Sequence, residues 1–274
     1  MIDLNGTAHR LCLLDTNFLT RLMDQSESRA KRIVDRVGNL PTVFAISIFT
    51  LIEVRDRRAA FDRLLRWFSW FPVVLMKSTH QLHAEEVAAY PDPSRVDPVL
   101  LAPVGIKPDP GSTHQDAVRL VFENPTVRRL MRELADGRNE IVDALLALRP
   151  TFPRPAGGYT PADARDFAEK ICFQHAVMHA REWVESMGGA SFDLQANAFP
   201  SVKAAAYSTF FRFYPDSQRR PRRSDAFDIG TAAVLPYVEL AALEKNQADI
   251  VRNRIPKVDG FLDDLQVLTF ADLS

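Results

Sequence analysis

The chain has 274 residues, 46% of them hydrophobic, and a formal net charge of -1. That is enough apolar side chain for a sizeable core and too little charge to draw a polyanion or an acidic membrane surface unaided. Only two cysteines, Cys12 and Cys172, are present, which excludes a disulfide framework and suits a reducing compartment.

The first ten residues lack a basic start followed by an apolar stretch, and no apolar run approaches the roughly 20 residues of a membrane span. Secretion and membrane insertion are therefore not expected, and the cytoplasm is the expected location. Residues 11–14 predict a strand closed by Asp15-Thr16-Asn17, after which Phe18, Leu19, Leu22 and Met23 fall at helical spacing. A helix over 26–37, stopped at Gly38-Asn39, precedes a strand over 43–47. One long helix then carries Glu53, Arg55, Arg57, Arg58, Arg63 and Arg66 to about Phe68, and residues 72–76 predict a third strand. Such α/β alternation favours a parallel sheet.

Between Tyr90 and Gly111, Pro91, Pro93, Pro98, Pro103, Pro108 and Pro110 break regular structure. From about Thr113 to Pro215 the periodicity is helical, over 127–148, 162–187 and 202–211. Alternation then resumes with a helix over 225–235, a strand over 238–243, a helix over 245–253 and a strand over 265–270. The order fits one α/β domain in two parts, 1–90 and 216–274, interrupted by a Pro-rich linker and an all-helical insertion over 91–215.

Four acids stand at the edges of apolar segments: Asp15 after 11–14, Glu53 after 44–52, Asp228 at the start of a helix and Glu244 after 238–243. Open α/β sheets collect ligands at the carboxyl ends of their strands. Carboxylates gathered there repel by roughly 4 kcal/mol per close pair at intermediate dielectric. A divalent ion such as Mg²⁺ or Mn²⁺ removes that penalty, lowers the pKa of a coordinated water and neutralises charge developing at a phosphodiester. Metal-assisted phosphodiester hydrolysis is the expected chemistry, although any single acid of this kind is more commonly a solvated charge or a helix cap.

In chain order, Leu13-Leu14-Asp15-Thr16-Asn17, Thr50-Leu51-Ile52-Glu53, the segment from Asp225 through Asp228 to Ala233, and Glu244 after a late strand resemble the PIN-domain nucleases, over roughly residues 9–80 and 222–274. The resemblance implies a Rossmann-like three-layer α/β/α sandwich with a mostly parallel central sheet. It also implies cleavage of RNA, sometimes of DNA flaps, with Mg²⁺ or Mn²⁺. Asp15, Glu53 and Asp228 would be metal ligands, directly or through water, with Glu244 the fourth acid and Asn17 orienting Asp15 or the bound water. Asp225, one helical turn before Asp228 and on its face, is the alternative third ligand. Leu243-Glu244 departs from the family, which has Thr or Ser followed by Asp or Asn there. The expected protein is an endoribonuclease acting on single-stranded RNA through a metal-activated water, with RNA a more natural partner than DNA. A structure-selective DNA nuclease and a non-catalytic binding scaffold are the alternatives. Compact members of the family often pair through helices, and the insertion can either supply or block such a homodimer surface.

Arg219, Arg220, Arg222 and Arg223 lie just before Asp225, behind Phe210, Phe211, Phe213 and Tyr214. Guanidinium groups match phosphate oxygens and aromatic faces stack on unpaired bases, so this stretch is a candidate strand-binding surface, with the Arg58 helix as a second basic wall. Solvated charge and buried aromatics explain the same residues. Cys172, His175 and His179 share one helical face in a rival arrangement suited to Zn²⁺, but the sequence supplies no evident partner pair, and a packed thiol with partly exposed histidines is the simpler reading.

Overall fold

The computed structural model describes residues 2–4, 6–37, 41–55, 57–68, 73–101, 119, 123–215 and 219–273, and of residues 4, 34, 66–68 and 138 only the backbone. Gly38-Asn39, Pro72, the prolines at 103, 108 and 110, and the side chains of Arg66 and Phe68 thus lie outside the described residues. The first part of the chain forms β1 (Ile2–Leu4), β2 (Thr7–Leu14), α1 (Thr16–Met23), α2 (Glu27–Arg36), β3 (Thr42–Ile46), α3 (Ile48–Arg55), α4 (Arg58–Phe68), β4 (Val73–Met76), α5 (Thr79–Ala89) and β5 (Val99–Leu101). Then come α6 (Pro125–Asp136), α7 (Arg138–Leu148), α8 (Pro161–His179), α9 (Arg181–Ser186) and α10 (Pro200–Phe213). The last part holds α11 (Arg223–Ala232), β6 (Leu240–Ala242), α12 (Lys245–Asp249), α13 (Pro256–Asp259), β7 (Gln266–Leu268) and α14 (Phe270–Leu273).

The strands form one seven-stranded sheet in the order β5-β4-β3-β2-β6-β7, with β1 paired to the start of β2. Pairings β4-β3, β3-β2, β2-β6 and β6-β7 are parallel, while β5 and β1 pair antiparallel. Alternate residues of β2 enter different cores. Cys12 and Leu14 pack with Phe18, Phe44, Ile46 and Leu51 on one face, and Leu11 and Leu13 with Val43, Val74, Phe167 and Tyr207 on the other. A sheet apolar on both faces must be covered twice, and the result is the three-layer α/β/α sandwich.

The helices between β5 and α11 thicken both outer layers. Val127 and Met131 of α6 join the first core, whereas Ala164 and Phe167 of α8 and Ala206, Tyr207 and Phe210 of α10 join the second. Helix α10 is pinned at its start by the buried Glu86 of α5, which accepts hydrogen bonds from the Ser201 amide (2.7 Å), the Ser201 hydroxyl (2.8 Å) and the Tyr237 hydroxyl (2.5 Å). Lys203 ties the same helix to Asp259 at 2.5 Å.

Several elements differ from expectation. The long helix after β3 is two helices, α3 and α4, with Arg57 accepting from the Phe61 amide at the start of the second. Every residue of α3 except Glu53 and Arg55 is buried, while α4 buries only one stripe that includes Leu64 and Leu65. Periodicity records the apolar positions but not this change of axis. Helices α6 and α7 part at Gly137, and α8 and α9 part at Ala180, whose φ of -141° and ψ of 44° are not helical. Strand β5 lies inside the Pro-rich stretch: as an edge strand it needs hydrogen bonds on one side only, so Pro98 beside it is tolerated. Among the described residues no helix is long and apolar enough to cross a membrane.

Helices α3 and α11 meet where the Phe49 ring of one packs on the bare backbone of Gly230 in the other. A Cβ placed on Gly230 would come within 2.1 Å of the Phe49 ring. Below that contact, the Ser47 hydroxyl receives the Thr50 amide at 3.0 Å and meets the Thr231 hydroxyl at 3.0 Å, all three residues being buried. Gly230→Ala is expected to lower stability by about 1–3 kcal/mol through overpacking, read from urea unfolding. An unchanged midpoint would mean that the two helices separate freely.

Candidate functional site

Strand order reverses between β2 and β6, since the chain runs outward from β2 through β3 and β4 and later returns to β2's other side. A crevice outside the carboxyl ends of the strands is expected at such a switch point. Asp15 and Glu244 lie there, each following the last residues of its strand. Leu14 pairs with Ala242, and the Asp15 amide donates to the Ala242 carbonyl at 3.0 Å.

The Asp15-Thr16-Asn17 turn organises the acids. Asp15 caps α1, its carboxylate accepting the Asn17 amide at 3.3 Å. The Thr16 hydroxyl donates to Glu53 of α3 at 2.5 Å, and the Asn17 side-chain amide donates to Glu244 at 2.9 Å. Asn17 therefore orients Glu244 with its side chain and reaches Asp15 only through its backbone, a division of labour the sequence does not disclose. The role of Thr16 is likewise absent from the sequence reading.

The electrostatics bring Asp228 into the same group. Burial pushes the Asp15 carboxyl up to about 7, and the charges of Asp228, Glu244 and Glu53 push in the same direction. Burial also raises Asp228 to about 6 against the pull of Arg212, with Glu244, Glu53 and Asp225 adding to the rise. Asp15 thus feels the charges of the other three expected acids, and Asp228 those of Glu53 and Glu244.

Asp225 has another occupation. It is 2% exposed, and its oxygens accept from Arg219 at 2.5 Å and from the Arg222 amide at 2.8 Å. Arg212 of α10 stands 3.5 Å from Asp225 and 2.8 Å from Asp228, and also donates to Gln247. Among the described residues no three carboxylates, imidazoles or thiols converge so as to hold a metal ion. The expected ligands form a charge cluster in which Asp228 is turned to Arg212, Glu244 to Asn17 and Glu53 to Thr16. The donor set still fits a hard divalent cation, because it offers carboxylate oxygens from four elements and carries a repulsion that such an ion would relieve.

Of the arginines expected to bind substrate, Arg219 is drawn inward to Asp225 and lies 5.4 Å over the Phe213 ring. Arg220, Arg222, Arg223 and Arg58 are exposed. The aromatics do not form a stacking surface: Phe210, Phe213 and Tyr214 are buried in the second core and Phe211 is half-buried against it. Sequence reading passed over a pocket of about 420 Å³ between α3 and α6, lined by Ile52, Arg55, Arg128, Met131, Arg132 and Ala135. Its arginines come from two separate stretches of chain, Arg55 following Glu53 by two residues.

Cys172 does not join its two histidines as a ligand. It is fully buried in an apolar cluster with Ala198, Phe199 and Val202, and burial raises its thiol far above the ordinary range. His175 and His179 instead meet His80 and His83 of α5. Burial and the neighbouring imidazoles hold His83 down at about 4 and His175 at about 3, so both rings are neutral at pH 7. No protein-family model, curated protein or solved structure matches the chain.

Because the folded-state pKa of Asp15 exceeds its unfolded value, the folded protein keeps a proton between about pH 4 and 7 that the unfolded chain has lost. Stability from this group is therefore full below about pH 4, falls as pH rises to about 7 and is level beyond. Without divalent ions, Asp15→Asn should be more stable than the parent at pH 7.5, on the order of 1–3 kcal/mol, with the difference vanishing near pH 4. Urea unfolding in EDTA at the two pH values measures it. A pH-independent difference would mean that the charge is not the cause.

Proposed function

We propose that this chain is a metal-dependent nuclease of the PIN-domain kind, most naturally an endoribonuclease acting on single-stranded RNA. The observation that carries the reading is the gathering of Glu53 and Glu244 beside Asp15, through Thr16 and Asn17, at the switch point of a mostly parallel sheet, with Asp228 near enough for its charge to raise the Asp15 carboxyl. Asp15, Glu53, Asp228 and Glu244 would hold Mg²⁺ or Mn²⁺. When bound, such an ion supplies Lewis acidity and a low-pKa water for phosphodiester hydrolysis. Thr16 and Asn17 fix the directions of Glu53 and Glu244. Arg55, Arg128 and Arg132 offer guanidinium groups to the phosphates of a strand reaching the acids.

One observation favours a second reading, a binding scaffold that hydrolyses nothing. The buried Arg212 guanidinium already neutralises Asp228 from 2.8 Å, a service that a metal ion would otherwise perform.

Purified protein with Mn²⁺ or Mg²⁺ is expected to cleave single-stranded RNA, and Asp15→Asn to slow cleavage by about a hundredfold or more, since metal activation contributes several kcal/mol. Equal cleavage by both proteins would sink the assignment. Faster cleavage of a DNA flap than of RNA would transfer the substrate to DNA. Calorimetry showing no divalent-ion binding while RNA still binds would favour the scaffold.

A further inference from the structure

Four histidines from two helices meet beside Phe199, the residue before α10, outside the acidic cluster. His80 and His83 stand one turn apart on α5, and His175 and His179 one turn apart on α8. Ring centroids lie 4.1 Å apart for His83 and His175, 4.3 Å for His175 and His179, 5.5 Å for His80 and His179 and 6.2 Å for His83 and His179. His83 is 2% exposed, and neither of its ring nitrogens has a hydrogen-bond partner; Nε2 of His175 is also buried without one. Buried imidazoles ordinarily donate from one nitrogen and accept at the other. Three such atoms left unpaired in one cluster are costly and need a ligand or donor to satisfy them.

We propose that His80, His83, His175 and His179 form a binding site for a borderline divalent transition-metal ion, Zn²⁺ foremost, which clips α8 of the insertion to α5 of the sheet layer. Imidazole nitrogen is a preferred ligand for Zn²⁺, and four such ligands complete a tetrahedral structural site. Pairs spaced three and four residues apart present both rings from one helix face. Exposure rises from the buried His83 through His175 to His80 and His179 at the surface, so the cluster has an entry path. As the rings stand they pack largely edge to face, and no three of these residues converge on one point. Binding therefore requires the rings to turn about χ1 and χ2, over the few ångströms that now separate them. The site lacks the Glu of a His-Glu-x-x-His arrangement and joins one buried and one half-buried ligand to two exposed ones from two helices, which suits a structural clip better than a reaction centre.

The full-length protein, freed of metal, would be titrated with Zn²⁺ against a chromophoric chelator, and with Co²⁺ to record its visible absorption. One equivalent of Zn²⁺ is expected, with the intense Co²⁺ band of a tetrahedral nitrogen site. Both should persist in Asp15→Asn. Affinity should fall about tenfold or more in His175→Ala and in the double variant His80→Ala, His179→Ala. The double variant replaces exposed residues only, so it carries the test if the half-buried His175→Ala substitution unfolds the chain. Failure to bind Zn²⁺, equal affinity in the histidine variants, or loss of binding in Asp15→Asn would each overturn the proposal. None of these results depends on whether the protein cleaves RNA.

Discussion

The pairing of β2 with β6 governs the chemistry of this molecule. Strand β2 is apolar on both faces, so its register against β3 and β6 cannot slip without turning each core residue toward the wrong layer. That register delivers the Asp15 amide to the Ala242 carbonyl and leaves a carboxylate at the rim of the sheet with 6% exposure. Most neighbouring polar contacts compensate for charge held in such a place. Thr16 and Asn17 turn the next two acids, and Arg212 faces the fourth.

Arg212 also makes the site depend on α10. It is carried by α10, whose first turn is bound to α5 through Ser201 and Glu86 and to Asp259 through Lys203, and whose middle is bound to Asp259 through the Tyr207 hydroxyl. The guanidinium is thus held by a helix anchored in two places and is not a mobile surface charge. An ion pair buried this deeply is weak evidence for stability, but removing either partner leaves a charge uncompensated in the interior. The helices between the two halves of the sheet therefore take part in setting the charge state of the acids.

The sequence was most legible where local chemistry and tertiary packing agree. Leu11-Cys12-Leu13-Leu14 ending in Asp-Thr-Asn reads as strand, cap and helix because the residues that stop the strand also cap α1. The parallel strands carry β-branched and apolar runs that have no other use. Legibility fell where the decisive fact is a partner distant in sequence. Nothing around Arg212 announces that it will meet Asp228, and nothing in His80 or His83 announces His175. The pocket arginines Arg55, Arg128 and Arg132 belong to two helices whose approach is a tertiary event. The Arg219 to Arg223 run, conspicuous as a string of letters, proved to divide between an inward pair with Asp225 and exposed charge. Runs advertise composition, whereas burial is decided by neighbours.

The contact between Phe49 and Gly230 has a consequence for how such a protein can diverge. A benzyl ring on one helix and a bare backbone on the next fix the distance between the segments bearing Glu53 and Asp228, so these two positions form a single steric unit. Descent can enlarge residue 230 only in lineages that first trim residue 49. Co-variation of those two columns, neither of them acidic, would then record how closely spaced the carboxylates must remain.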